Sequence, residues 1–411
     1  MSDYAVGITG LGVVSPIGNE PQLYWQRLEE AESGVSPLTR FTADRFRSHL
    51  AAEVDQFSVE MIESETFRHQ IKRMDRFVQY ALYASQCAIE ESQESVEKGA
   101  SEGGIFIGVG MGGLPNMESG VIVQESKGPR RTNPYLIPSL IPNMAASMIA
   151  MNNRFGGLQN TFAGACAGGL QAIGQAYELI RAGQLKWAVA GGVEAVVTPI
   201  TFSGFEAMRA LSTSGDPDTV PRPFDRERDG MIVGEGAAIF FLEELGRAEH
   251  RGVSVYGQIK SYSSNSSYLS LVQPDTTALL KCMELATVEQ GMPTSELQAI
   301  FSSGSGLRNG DEAEMEAYRQ LLAEEQTAPY ITSVKGSVGH TFAASGPLSM
   351  LAAIGALQQN RIPGIRNLQQ IDEKFGKLNF LTQVTEAMVE NCLINAFGFG
   401  GINASLVVSS V

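Results

Sequence analysis

Apolar residues in this chain gather into short dense runs that end in glycine, separated by stretches where they recur every three or four positions. The first run, Ala5-Val6-Gly7-Ile8-Thr9-Gly10-Leu11-Gly12-Val13-Val14, reads as a strand entering a glycine-rich turn. Gly104 to Val109 and Trp187 to Ala190 read as buried strands with flexible glycine ends. Ala237 to Leu242 reads as another strand, fed by the charged loop from Arg222 to Gly230. The helical spacing is clearest at Leu170, Ile173, Ala176, Leu179 and Ile180, directly after a strand-like segment and a small-residue turn.

The second half repeats the first in outline. Ala299 to Gly306 resembles the strand and turn around Ile105 to Gly112. Ile331 to His340, followed by an alanine-rich helix, parallels the strand, turn and helix around Cys166. Leu393 to Ala404 parallels the strand at Trp187. Three correspondences in the same order imply two similar α/β halves, residues 1–254 and 255–411, related by a pseudo-twofold axis. On that reading Cys166 and His340 occupy equivalent turns, and the axis brings both into one central site.

Composition narrows the function. Hydrophobic residues make up 43% of 411, with 44 glycines, as in a compact α/β enzyme with many tight turns. A net charge of −15 excludes the basic face of a nucleic-acid binder. The spacing Gly7-x-Thr9-Gly10-x-Gly12 superficially suggests a dinucleotide site, but Pro16 stands where the crossover helix would run. Cys87, Cys166, Cys282 and Cys392 lie far apart, with neither a disulfide framework nor metal-ligand spacing, which suits a reducing cytosol. No signal-peptide pattern opens the chain and no apolar run has membrane-spanning length, so a soluble cytoplasmic protein is expected. Against this acidic background Arg68-His69-Gln70-Ile71-Lys72-Arg73-Met74-Asp75-Arg76 is either a solvated helix face or a docking patch for an acidic partner.

The candidate chemistry centres on Asn160-Thr161-Phe162-Ala163-Gly164-Ala165-Cys166-Ala167-Gly168-Gly169. A cysteine at the start of a helix faces unpaired N–H groups and the positive end of the dipole, which favour thiolate. Small neighbours leave room for a substrate to reach the sulfur.

Four separated motifs give this chain its family resemblance: Ala165-Cys166-Ala167; Arg222-Pro223-Phe224-Asp225 with Arg228-Asp229-Gly230 and Gly234-Glu235-Gly236; Ser333-x-Lys335 with Gly339-His340; and Asn395-x-Phe397-Gly398-Phe399-Gly400-Gly401-x-Asn403. Together they resemble the β-ketoacyl-acyl-carrier-protein synthases, the elongating condensing enzymes of the thiolase superfamily, over nearly the whole length. The resemblance implies a five-layer αβαβα fold of two duplicated halves and a dimer, either of identical chains or with a related ketosynthase. It implies no cofactor of the protein's own and no metal: acyl groups arrive on the phosphopantetheine of an acyl carrier protein. They pass to the cysteine and condense with a malonyl group as CO2 leaves. Cys166 would be the nucleophile, with its own N–H and that of Phe399 as oxyanion hole. His340 would stabilise the enolate or act as acid and base, held by Lys335, with Glu314 anchoring Lys335 and Asp311 in support. Lys72, Arg73, Arg76, Arg130, Arg131 and Arg209 would dock the carrier protein. Met111, Ile137, Phe202 and Phe399 are tunnel or gate candidates, each equally readable as core packing.

Two departures touch the acceptor side. The family's first catalytic histidine opens a His-Gly-Thr-x-Thr segment, and the matching segment here is Ser303-Gly304-Ser305-Gly306-Leu307, followed by Asp311 and Glu314. Ser266-Ser267-Tyr268-Leu269 replaces an Asp-x-Tyr-His-like segment near the entrance. A hydroxyl donates one hydrogen bond but carries no positive charge. Four outcomes therefore stand open: condensation, passing the acyl group to a carrier-protein-bound acceptor, acyl transfer to an oxygen or nitrogen nucleophile, and a catalytically impaired partner subunit resembling the chain-length factors.

Overall fold

The computed structural model describes residues 3–64, 67–94, 99–325, 328–371, 376 and 378–411. Its spine is one hydrogen-bonded sheet of eleven strands. In chain order these are β1 (Val6–Val14), β2 (Gly103–Val109), β3 (Leu158–Phe162), β4 (Trp187–Glu194), β5 (Gly236–Glu244), β6 (Gly257–Ser266), β7 (Ala299–Phe301), β8 (Tyr330–Thr332), β9 (Asn379–Phe380), β10 (Asn391–Phe397) and β11 (Ile402–Ser409). Across the sheet they run β9-β8-β7-β10-β11-β6-β1-β5-β4-β2-β3.

That order contains itself twice. Outward from the centre, the first half reads β1-β5-β4-β2-β3 and the second reads β6-β11-β10-β7-β8, with β9 as an added edge. Strand directions match too: in each half the first strand is antiparallel to the fifth and the fifth to the fourth, while the second lies parallel to both the fourth and the third. The halves join where β1 and β6 pair antiparallel, with Val6 opposite Ile259 and Ile8 opposite Gly257.

Six helices concern the site: α1 (Arg76–Glu91), α2 (Leu114–Lys127), α3 (Gly168–Arg181), α4 (Thr276–Ala286), α5 (Arg308–Leu321) and α6 (Ser345–Gln359). α1 covers the outer face of β1, β5 and β4, and α4 with α5 covers β6 and β11. Between the halves lie α3 and α6, which touch each other and strands of both. The layers are therefore helix, strand, helix, strand, helix. A central helix must be apolar on all sides, and α6 is buried without a break from Ser345 to Leu357. α3 keeps an amphipathic stripe, with Leu170, Ile173, Ala176 and Ile180 buried and Leu179 partly so. Among the described residues no helix is long and apolar enough to cross a membrane.

One sequence expectation is corrected here. The glycines of the first run form no turn; all of Val6–Val14 is buried strand. Their role is close approach, because a Cβ on Gly10 would fall 1.9 Å from the Ala88 carbonyl oxygen and one on Gly12 would fall 1.8 Å from that of Ala84. Helix α1 lies directly on the bare backbone of β1. Gly12→Ala should accordingly lower stability by about 1–3 kcal/mol, because a helix backbone, not a flexible side chain, has to retreat. Gly204→Ala, with nothing within 4 Å of the new carbon, is the matched control. An unchanged urea midpoint for Gly12→Ala would show that the contact yields freely.

Candidate active site

The chain leaves β3, makes a single 3-10 turn over Ala165–Ala167 and enters α3. In the second half the turn Phe342–Ala344 precedes α6 in the same way. Both turns open on a residue with positive φ, 45° at Ala165 and 47° at Phe342. Aligning the helix starts, Gly168 with Ser345, makes Ala343 the counterpart of Cys166 and Ala163 that of His340. Cys166 and His340 therefore share equivalent turns, as the repeat implies, but stand three places out of register. The turns touch backbone to backbone: a Cβ on Gly169 would lie 2.2 Å from the Ala343 oxygen.

This contact brings Cys166 Sγ to 3.5 Å from His340 Nε2. The N–H groups of Cys166 and Phe399 both reach toward the sulfur. The helix start was expected to favour thiolate, but Cys166 is only 8% exposed. Burial pushes its thiol up to about 11, against the pull of the Lys335 charge and with a further push from Glu194. Burial therefore favours the thiol over the thiolate at neutral pH.

His340 is fixed by its neighbours. Its N–H donates to Ile232 O at 2.7 Å and its carbonyl accepts from Gly234 N at 2.9 Å, which gives the Gly234-Glu235-Gly236 motif a structural job. The Phe342 N–H donates to His340 Nδ1 at 3.0 Å. Nδ1 is thus an acceptor, and the ring proton sits on Nε2, facing the sulfur. Burial, then the Lys335 charge, holds this imidazole neutral. A neutral ring with Nε2–H acts as a hydrogen-bond donor toward whatever oxygen enters beside Cys166.

Lys335 does not hold His340; the Phe342 N–H does. The Lys335 ammonium donates instead to the Ser303 carbonyl and lies 3.5 Å from Ser303 Oγ. Nor do Glu314 and Lys335 form an ion pair among the described residues. Glu314 accepts N–H bonds from Ser303 at 2.7 Å and Gly304 at 2.9 Å, and the Tyr318 hydroxyl at 2.5 Å. The backbone at 303–304 lies between them, turning its N–H groups to the carboxylate and its carbonyl to the ammonium. Asp311, one turn earlier on α5, accepts from Phe224 N at 2.8 Å, Ser305 N at 2.8 Å and Gly306 N at 3.1 Å, with Arg228 Nε at 3.8 Å. It thereby ties the Arg222–Gly230 loop to the acceptor side.

Glu194 was not singled out from sequence. Buried at the end of β4, it accepts N–H bonds from Gly110 at 2.8 Å, Met111 at 3.0 Å and Gly112 at 3.2 Å, and burial pushes its carboxyl up to about 7. The available signal was an acid closing an otherwise apolar strand.

Cys166, His340, Ser303, Met111, Phe399 and Arg209 all line one cavity of about 520 Å³. Two tunnel candidates do not. Ile137 is 65% exposed on a short helix, and Phe202 is wholly buried, with its ring edge-on to Phe41 and Phe46 at 5.3 and 6.1 Å. The altered entrance segment does reach the mouth, where Ser267 and Leu271 line the cavity and Tyr268 stands 95% exposed. Of the basic residues, Lys72 pairs with Glu60 at 2.5 Å, which offsets its charge. The Arg73 guanidinium sits 5.2 Å from the Tyr135 ring centre, four residues beyond the turn that carries Arg130 and Arg131, while Arg76 opens α1.

The fold is that of the thiolase-like ketosynthases. The chain belongs to the β-ketoacyl synthase family, whose N-terminal domain model matches residues 3–248 and whose C-terminal domain model matches residues 256–369. It is 36% identical over 406 residues to a 3-oxoacyl-[acyl-carrier-protein] synthase 2 of Synechocystis, covering 98% of this chain and 97% of that one. A solved ishigamide ketosynthase/chain length factor superimposes with a TM-score of 0.93 at 27% identity, covering 100% of both chains. A type II polyketide ketosynthase, solved in complex with its acyl-carrier protein, does so with a TM-score of 0.89 at 25% identity, again over 100% of both.

Burial should be visible in the reactivity of Cys166. With a thiol near 11, thiolate is scarce at neutral pH and rises about tenfold per pH unit. Iodoacetamide labelling of Cys166, followed by peptide mass, should accelerate steadily from pH 7 to 9. A rate already level at pH 7 would mean that the helix start outweighs burial.

Proposed function

We propose that the protein is a β-ketoacyl-acyl-carrier-protein synthase of fatty-acid or polyketide biosynthesis, acylated on Cys166 and joining that acyl group to a carrier-protein-bound acceptor. The observation that carries this reading is Cys166 Sγ at 3.5 Å from a neutral His340 Nε2–H, with two backbone N–H groups on the sulfur. In the first half-reaction the Cys166 sulfur attacks the incoming thioester carbonyl. The carbonyl oxygen is held by the N–H groups of Cys166 and Phe399, and the proton passes to the departing phosphopantetheine sulfur. In the second, a malonyl thioester loses CO2 and the electron pair moves onto its thioester oxygen, which His340 stabilises. The α-carbon then attacks the acyl carbonyl and expels the Cys166 sulfur as thiolate, which takes up one proton from water to restore the thiol.

No cofactor of its own enters these steps; both substrates come on carrier-protein phosphopantetheine, in the cytoplasm. We assign carrier-protein docking to Lys72, Arg73, Arg76, Arg130, Arg131 and Arg209, because a chain of charge −15 attracts an acidic partner only through local patches. Dimerisation, with an identical chain or a related ketosynthase, is supported by β3, the edge strand of the sheet among the described residues, and by α2. That helix has no buried residue and exposes Met117, Val121 and Ile122 by 52%, 52% and 62%. We divide the halves at 254/255, between β5 and β6.

One observation favours a second reading, an impaired subunit like the chain-length factors: Ser303 where the family's pattern has histidine. Retention of Cys166 speaks against it. Intact mass after incubation with acyl-carrier protein separates the two. Wild type should gain one acyl group and Cys166→Ala none; persistent labelling of Cys166→Ala would move the nucleophile elsewhere. Ser303 should also leave decarboxylation slow, since a hydroxyl is a weaker donor than a positioned imidazole. Ser303→His should raise CO2 release by about one to three orders of magnitude. Equal rates would make Ser303 a full substitute.

A further inference from the structure

The Ser303 hydroxyl has a defined surrounding. Its oxygen faces the Phe397 N–H at 3.4 Å and the Lys335 ammonium at 3.5 Å. A hydroxyl has two lone pairs and one proton to give. Two donors occupy the lone-pair side, and among the described residues no protein acceptor takes the O–H. Ser303 lines the cavity with Cys166 and His340, which leaves the O–H free to turn toward a group bound there. The cation behind it cannot drift: Lys335 is 2% exposed and its ammonium also bonds the Ser303 carbonyl. A buried positive charge against the oxygen strengthens the O–H as a donor, more so away from water.

We infer that Ser303 is a catalytic hydrogen-bond donor, with Lys335 as the positioning residue that polarises it, and that the pair fills the place of the missing imidazole. This rests on the condensation reading above. When the C–C bond of the malonyl thioester breaks and CO2 leaves, the electron pair settles on the thioester oxygen between His340 Nε2–H and Ser303 Oγ–H. It returns when the α-carbon attacks the acyl carbonyl on Cys166 and the sulfur departs. Neither donor gives up its proton, so the pair needs no base.

The test measures CO2 release from malonyl-carrier protein by protein already acylated at Cys166, normalised to acyl-enzyme. Ser303→Ala should lower kcat by about 10- to 100-fold with little change in KM, while Ser303→Thr, which keeps the hydroxyl, retains most of the rate. Lys335→Met should lower kcat in the wild-type background but add little to Ser303→Ala, because the cation acts through the hydroxyl. A wild-type rate in Ser303→Ala overturns the proposal, as does a Lys335→Met loss that is equally large without the hydroxyl. The Ser303 variants change only a cavity-wall side chain, so they decide even if Lys335→Met fails to fold. Should wild type release no CO2, condensation fails, and the donor assignment is judged on binding of a non-decarboxylating malonyl-thioester analogue that keeps its carbonyl. Binding weakened about tenfold by Ser303→Ala retains the donor; equal binding removes it.

Discussion

Everything at the centre of this molecule depends on two pieces of backbone meeting with no side chain between them. The Ala343 carbonyl lies where a Cβ on Gly169, or one on Gly192, would be 2.2 Å away. A Cβ on Gly108 would meet the Gly168 carbonyl carbon at 2.3 Å. Only glycine permits such approach. With these contacts, the turn before α3 and the turn before α6 interlock, and sulfur and imidazole come within hydrogen-bonding reach. A methyl group at Gly169 or Gly192 would separate the two halves before it disturbed either one alone.

Closeness has an electrostatic consequence. Cys166, His340, Lys335, Glu194 and Glu314 are all buried at the join, and desolvation is the largest influence on each. It favours the thiol, the neutral imidazole and carboxyls near 7 at Glu194 and Glu314, and it draws Lys335 down from its ordinary value against the pull of the Glu314 and Asp311 carboxylates. Polarised hydrogen bonds that need no proton transfer suit such a setting better than a charged acid–base pair. The fixed Nε2–H of His340 and the converging N–H groups on the sulfur belong to that kind of site.

How much could be read beforehand follows from what spacing encodes. Strand runs, the helix after Cys166 and the repeated order of elements depend on local periodicity, and the sequence carried them. So did the pairing of Cys166 with His340, through the repeat and the family motifs. Closeness between distant backbones leaves no periodic trace, so Gly10 and Gly12 read as a turn when they are the seat of α1. Partner choice inside the site was equally hidden. Which donor holds His340, and whether Glu314 reaches Lys335 or the amides beside it, depends on peptide orientations that side-chain identities do not report. Phe202 and Ile137 show the same limit, since an apolar residue reads alike in a core, on a surface or along a tunnel.

The duplicated halves also explain how a symmetric frame supports two different roles. In the first half the loop after the second strand, Gly110 to Gly112, hangs its N–H groups on the buried Glu194 carboxylate. In the second half the corresponding loop, Ser303 and Gly304, hangs its N–H groups on buried Glu314. The device is common to both, but its source differs: Glu194 ends a strand, whereas Glu314 projects from α5 beside Lys335. One loop presents Met111 to the cavity, and the other presents Ser303 with the Lys335 ammonium at 3.5 Å from its hydroxyl. Two repeats of one frame thus carry different side chains to the wall of the cavity that holds Cys166.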